Sequence, residues 1–143
     1  MATWETPKTD WYGATAGGVY TGDRFNYTDY NRIKNNLIYL HDLAITLYDD
    51  FDIEDVGDDK TVADYPYADE INAIEQNLET INKNTLSQSY GDTKTYTAND
   101  AFINYTELNR LEKATLDLYD KITNTANGRR TLELNFGFKS GDF

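Results

Sequence analysis

The sequence predicts a mainly α protein: a three-helix bundle-like domain with an extended N-terminal arm and a short C-terminal β-strand. The phrase FNYTDYNRI at residues 25–33 returns as INYTELNRL at residues 103–111, with five of nine positions identical. Apolar residues recur three and four positions apart in three stretches, which is typical of amphipathic helices packed in a bundle. Residues 131–138, TLELNFGF, alternate large apolar and other side chains, which is typical of a half-buried strand.

The repeated phrase has the features of a helix start. Asn26 and Asn104 are suited to be N-caps, because an asparagine side chain accepts hydrogen bonds from the free N–H groups of the first turn. Asp29 and Glu107 lie three residues later, where a carboxylate completes a capping box. Negative charge is also favourable at this end of the helix dipole. The phrase therefore predicts where two helices begin.

Apolar stripes continue from each helix start and set the predicted organisation of the chain. Gly128 is the predicted stop of the third helix, because glycine readily adopts the left-handed conformation that ends helices. The predicted helices lie near residues 26–50, 67–84 and 104–127. The predicted regions are an arm at 1–24, a helical domain at 25–128 with an acidic linker at 49–64, and a strand and tail at 129–143.

Asparagines recur inside the predicted helices, although asparagine is a mediocre helix former. A weaker third copy of the repeat, YADEINAIEQNL at 67–78, aligns Asn72 with Asn31 and Asn109 of the other two copies. These three residues lie 41 and 37 positions apart, in the range of helical repeat units. Two interpretations are open: a polar ligand site, or structural joints in which each amide binds the backbone of an incoming loop or helix. Repetition at three helix starts favours the joints.

Composition and charge narrow the classes of function. The formal net charge is −12, so nucleic acid and anionic membrane surfaces are unfavourable partners. There is no cysteine, and the single histidine, His41, is interpreted as a partly buried structural residue. The start of the sequence lacks a signal peptide, and no apolar run approaches the ~20 residues that span a membrane. We expect synthesis in the cytoplasm, no cofactor and no enzymatic activity.

An acidic stretch, DDFDIEDVGDD at residues 49–59, holds seven carboxylates in eleven positions. Such a run could bind Ca²⁺ through its oxygens, but its spacing does not match an EF-hand loop. Counted from Asp50, the position that an EF-hand reserves for glycine is Asp55. We therefore interpret the stretch as a solvated acidic linker and predict no metal site.

Both ends of the chain carry more large apolar side chains than a three-helix core of this size requires. A lone C-terminal strand needs a partner, which could be the weak strand TKTYT at 93–97, the arm or another subunit. We expect the two ends to dock on a neighbouring copy or another protein. The predicted interface residues are Trp4, Trp11, Leu132, Leu134, Phe136 and Phe138.

Two phrases resemble a pattern in small structural proteins of tailed bacteriophages and prophages of Gram-positive bacteria. WETPKTDW at 4–11 and FNYTDYNRIKNNL at 25–37 are similar to that family's W-x-x-P-K-T-D-W and F/Y-N-x-x-D-Y-N-R-I-x-x-N. The second-half stretch YTANDAFINYTELNRLE at 96–112 is similar to the same family's recurring L-N-R-I-E segment. The resemblance covers about half of the chain and assigns no catalytic residue. It implies a virion component of the tail, baseplate or fibre region.

The resemblance leads to one expected function and one alternative. The expected function is a structural virion subunit that assembles with copies of itself and with other virion proteins, in a symmetric ring or trimer. The alternative is a carbohydrate- or receptor-binding module of a phage tail, in which Trp4, Trp11 and tyrosines stack on sugars.

Overall fold

The computed structural model describes residues 3–16, 19–23, 25–61, 68–91, 93–97 and 105–137. It is mainly helical and contains three α-helices, as the sequence predicts. In chain order the elements are β1 (Gly13–Ala16), β2 (Val19–Gly22), α1 (Tyr27–Ala44), α2 (Ala68–Asn84) and α3 (Tyr105–Gly137).

Helix α1 begins where the repeated phrase predicts a helix start. Asn26 is the N-cap, with an extended backbone at φ −112° and ψ 168°. Its main-chain N–H donates to Oδ2 of Asp29 at 2.9 Å, and its carbonyl oxygen accepts from the N–H of Asp29 at 3.0 Å. The corresponding Asn104 lies outside the described residues, directly before the first residue of α3.

Helices α1 and α3 run in the same direction, as contacts at two levels show. Near the helix starts, Nε of Arg32 in α1 lies 2.7 Å from Oε1 of Glu112 in α3. Seven residues further along both helices, the ring centroids of Tyr39 and Tyr119 lie 5.9 Å apart. Contacts that advance together along two helices require the helices to be parallel.

The segment between α1 and α2 shows that α2 is parallel to α1 as well. Toward the end of this segment, the main chain of Lys60 binds Asn31 near the start of α1. The Nζ atom of Lys60 also forms an ion pair of 2.6 Å with Glu70 in the first turn of α2. Nine residues earlier, the carbonyl oxygen of Phe51 lies 2.6 Å from Nε2 of His41, near the end of α1. The segment also binds Asn77, in the middle of α2. It therefore runs back along both helices before α2 begins.

The core lies between the three parallel helices. Shifts of 41 and then 37 residues relate the buried positions of α1 to those of α2 and α3. Because the helices are parallel, residues related by these shifts define three successive layers with one buried side chain from each helix, and the sequence repeat thus indicates a core with approximate threefold symmetry. The layers are Ile33, Ile74 and Leu111; Leu37, Leu78 and Thr115; and Leu40, Ile81 and Leu118.

Two predicted helix ends are wrong. α1 ends at Ala44 rather than near residue 50, and residues 45–47 form turns. α3 does not stop at Gly128 but continues through Gly137. A glycine inside a helix costs only about 1 kcal/mol relative to alanine, which a helix already fixed by packing can absorb.

The predicted C-terminal strand is also wrong, because residues 131–137 are helical; position 138 lies outside the described residues. Alternation over eight residues is a short signal, and the leucines and glutamate within it are good helix formers. Once a helix is packed, each added residue contributes one hydrogen bond without a new nucleus. The weak strand at 93–97 is likewise wrong, since these residues form neither helix nor strand.

The predicted N-terminal arm contains a β-hairpin within the part of it that the structure describes. Strands β1 and β2 pair antiparallel, with Gly13 opposite Gly22 and Ala16 opposite Val19. At Gly22 φ is +124°, and an added Cβ would collide with the main chain of Tyr12. Residues 3–12 form neither helix nor strand. The glycine-containing stretch that connects Trp11 to α1 therefore folds back on itself as a hairpin.

Leu40→Ala and Leu118→Ala should destabilise the domain to a similar extent, because both side chains are fully buried in one layer of the core. We expect about 3 kcal/mol for each, within the ~2–5 kcal/mol typical of buried leucine truncation. Urea denaturation measures the free energy of unfolding, and Tyr12→Ala is the exposed-site control. A loss below about 1 kcal/mol in either leucine variant would contradict the packing of this layer.

Candidate functional site

Each helix is preceded in the chain by a segment that contains neither helix nor strand and lies against helices. We call these segments straps: strap 1 is residues 3–12, strap 2 is residues 49–61, and strap 3 is residues 88–91 and 93–97. Main-chain N–H and C=O groups that leave water need hydrogen-bond partners. Helix side chains, mostly asparagines, supply those partners to the straps.

Asn109, one of the predicted joints, shows how a strap is held. Its Oδ1 accepts from the main-chain N–H of Trp11 at 2.7 Å, and its Nδ2 donates to the carbonyl oxygen of the same residue at 2.9 Å. An asparagine amide carries an acceptor and a donor side by side, so it satisfies both main-chain groups of one residue, as a neighbouring strand would. We call this arrangement an amide clamp.

Amide clamps form at the other two predicted joints as well. Asn31 of α1 holds Lys60 of strap 2, at 2.7 Å to the main-chain N–H and 2.9 Å to the carbonyl oxygen. Asn72 of α2 holds Tyr96 of strap 3 in the same way, at 2.6 and 2.8 Å. The three amides bind the backbone of the same chain, as the joint interpretation expects.

Three further amide clamps involve asparagines outside the predicted set. Two of these residues lie five positions after a predicted joint, at matching positions of the repeat, and that spacing is the signal that could have found them. The clamps are Asn36 on Glu5 (2.9 and 2.8 Å), Asn77 on Glu54 (2.8 and 3.0 Å) and Asn82 on Gln88 (2.9 and 2.6 Å).

Glu112 of α3 joins strap 1 to α1. Its side chain is 1% exposed and accepts from Nε and Nη2 of Arg32 at 2.7 and 2.8 Å, from the main-chain N–H of Lys8 at 3.0 Å, and from the indole N–H of Trp11. Burial alone would lower the pKa of Arg32, but its bonds to Glu112 and Asp29 outweigh burial and raise it. A buried ion pair is tolerated when its remaining hydrogen-bonding groups are satisfied. The buried carboxylate of Glu112 therefore holds strap 1 and helix α1 together.

The repeat places a second buried ion pair between α3 and α2. Arg110 of α3 donates to both carboxylate oxygens of Glu75 in α2, and its Nε lies 2.6 Å from Glu107. Burial raises the pKa of Glu75, although Arg110 opposes this shift. At the contact between α2 and α1, the corresponding residues are Ala73 and Lys34, which cannot form such a pair.

Lys34 instead binds strap 2, the predicted acidic linker. Its Nζ lies 2.5 Å from Oδ1 of Asp59 and 3.2 Å from the carbonyl oxygen of Gly57. The hydrogen bonds from Lys34 and Asn35 lower the pKa of Asp59. All seven carboxylates between residues 49 and 59 are exposed, while the backbone of the strap is fixed on the helices. Within the described residues, no group of three or more acidic or histidine side chains is placed to hold a metal ion.

The predicted interface tryptophans contact the protein's own helices. Trp11 is 4% exposed and belongs to the core. Trp4 stacks on Tyr119, with ring centroids 3.9 Å apart and an interplanar angle of 7°. Both rings anchor strap 1 within the chain, which differs from their predicted role as contacts to a neighbour. Of the other predicted interface residues, Leu132, Leu134 and Phe136 lie in the last part of α3, and Phe138 lies outside the described residues.

Comparison with known proteins finds no matching family model, no matching curated protein and no matching solved structure. None of the helices described has the length and apolar character needed to cross a membrane.

Asn36→Ala should destabilise the domain by about 2 kcal/mol, because it removes both hydrogen bonds that hold the main chain of Glu5. The matched control is Asn35→Ala, since this neighbour makes an exposed side-chain hydrogen bond to Asp59 and should cost less than about 0.5 kcal/mol. Urea unfolding of both variants measures the difference. Equal losses would show that an amide clamp contributes no more than a surface contact.

Tyr30 and Tyr96 should ionise at a higher pH than a tyrosine in an unfolded chain. Burial raises the pKa of both residues to about 12, and nearby carboxylates add to the effect. Because the folded state holds these protons more tightly, their contribution to stability is complete below about pH 10 and is lost as the pH rises toward 12. Titration of phenolate absorbance in the wild type, Tyr30→Phe and Tyr96→Phe measures this. A substitution that removes a step near pH 10 would contradict the burial.

Proposed function

We propose that the chain is a structural subunit of a tailed-bacteriophage virion, in the tail, baseplate or fibre-attachment region, and that it acts by protein–protein assembly. The observation that carries the proposal is that the two phrases resembling the phage family lie in contact. WETPKTDW falls within strap 1, and FNYTDYNRIKNNL begins just before α1. Asn36 of the second phrase clamps Glu5 of the first. The two phrases therefore contribute to one structural contact. This supports the interpretation that they occur together in the phage family because they fold together.

The polar residues of these phrases support a mechanical role. Arg32 of the second phrase binds Glu112, which in turn accepts from Lys8 and the indole of Trp11 in the first phrase. Asp29 binds both the N-cap of α1 and Arg32. These side chains hold strap 1 on two helices. Such a role is expected of a rigid structural subunit rather than of an enzyme active site.

The carbohydrate-binding alternative requires tryptophan faces that are open to a sugar. Trp11 is buried in the core, and its indole N–H donates to Glu112. Trp4 has one ring face covered by Tyr119. The geometry thus favours anchoring of strap 1, rather than sugar binding, as the role of both rings.

The end of α3 is the proposed docking segment for copies of the chain and for other virion proteins. Among residues with described burial, the last core residue is Ile122, whereas α3 continues to Gly137. Residues 123–137 amount to 15 residues, or about 22 Å of helix at ~1.5 Å per residue. The apolar residues that the sequence assigns to an interface lie in or just after this extension; they are Leu132, Leu134, Phe136 and Phe138.

A chain that ends at Gly128 should fold normally but fail to enter virions. Ile122, the last core residue with described burial, lies six residues before the truncation point, so we expect the melting temperature to change by less than about 4 °C. In a phage that encodes the chain, mass spectrometry of gradient-purified particles measures its amount relative to the capsid protein. The matched full-length control is Asn127→Ala, an exposed change next to the truncation point.

The two possible failures of this experiment have different meanings. Absence of the intact chain from purified particles would overturn the virion role itself. Incorporation of the truncated chain at the normal level would show that docking uses another surface, while the virion role would stand.

A further inference from the structure

The three helix–helix contacts of the bundle are not equally secured by the straps. Strap 1 bridges two helices, because Asn36 of α1 holds Glu5 and Asn109 of α3 holds Trp11. Strap 2 bridges α2 and α1 in the same way, with one amide clamp on each helix. Separation of α1 from either neighbour therefore requires that at least one amide clamp breaks.

Strap 3 is clamped on one helix only, as far as the described residues show. Asn72 and Asn82, which hold Tyr96 and Gln88, both belong to α2. The repeat position in α3 that corresponds to Asn36 of α1 is residue 114, five positions after Asn109. That residue is an alanine, whose side chain has no hydrogen-bonding group.

Side chains near the surface replace the missing clamp between strap 3 and α3. The hydroxyl of Tyr90 donates to Asp117 at 2.6 Å, and Nζ of Lys121 donates to Oε1 of Gln88 at 3.3 Å. The bond from Lys121 is exposed, and the bond from Tyr90 is partly buried, with the Asp117 side chain 41% exposed. Single side-chain contacts of charged groups at partly exposed sites contribute little to stability. The buried ion pair between Arg110 of α3 and Glu75 of α2 also links these two helices, deeper in the protein.

We infer that the contact between α2 and α3 is a seam at which the bundle opens. Strap 3 and α2 move away from α3 together, while straps 1 and 2 stay docked. Opening breaks the Arg110 pair and the side-chain bonds of strap 3, but none of the amide clamps described above. Local openings follow such weak contacts and occur more often than global unfolding. This inference does not depend on the virion role.

A thiol at residue 114 tests the seam, since the natural chain has no cysteine. Ala114 is buried in α3, so Ala114→Cys reacts with a thiol reagent only when the structure around it opens. Tryptophan fluorescence of the same variant reports strap 1, which holds both tryptophans. We expect labelling in the absence of urea at least about tenfold more often than global unfolding allows, with a shallower dependence on urea.

Two further variants complete the test. Asp117→Asn in the same background weakens the bond from Tyr90 and should raise the labelling rate about threefold, whereas Asp10→Asn, at an exposed ion pair of strap 1, should leave it unchanged. Thr115→Cys, also buried in α3, is the second probe if Ala114→Cys does not fold. Labelling that follows global unfolding in both rate and urea dependence would overturn the seam.

Discussion

The rest of the structure depends on the hydrogen bonding of the straps. Parallel helices in one chain require a connection that returns along the bundle after each helix, and that connection is a long stretch of backbone without a strand partner. Unsatisfied main-chain groups in such a place would cost free energy comparable to lost hydrogen bonds. Six asparagine amides, each bound to the main chain of one strap residue, lower this cost at six positions of the straps. The asparagines are weak helix formers, but each offers a peptide-like edge at the helix surface.

The repeat explains both the symmetry of the bundle and its defects. Where all elements of the repeat are present, as at the contact of α1 and α3, a strap is clamped on both helices and a buried ion pair lies beneath it. Two alanines interrupt this pattern. Ala73 removes the ion pair between α2 and α1, where Lys34 binds Asp59 of strap 2 instead. Ala114 removes a clamp between strap 3 and α3, where a partly buried side-chain bond from Tyr90 to Asp117 takes its place. The approximate threefold domain is therefore strongest around α1.

Local signals allowed part of this architecture to be predicted. The cap at Asn26 with Asp29, the apolar stripes and the repeated asparagines all act over a few residues, so the sequence predicts the helix starts, the core faces and the joint positions. The parallel direction of the helices and the partner of each joint depend on contacts between distant residues. Asn109 binds Trp11 across 98 positions of the chain, and no local pattern specifies that pairing. The predicted strand at 131–138 failed for the opposite reason, because a short local pattern was outweighed by continuation of a packed helix.

Parallel packing also gives the domain two different ends. Three helix starts at one end place three positive dipole ends close together, an arrangement that acidic residues in the first turns stabilise. Each helix has such residues: Asp29 in α1, Asp69 and Glu70 in α2, and Glu107 in α3. At the other end α1 and α2 stop, and α3 alone continues, with Arg129 and Arg130 in its extension. A chain of net charge −12 thus carries its arginine pair in the part of α3 that follows Ile122, the last core residue with described burial. The two arginines therefore place positive charge in the part of α3 that lies beyond the ends of α1 and α2, away from the acidic helix starts.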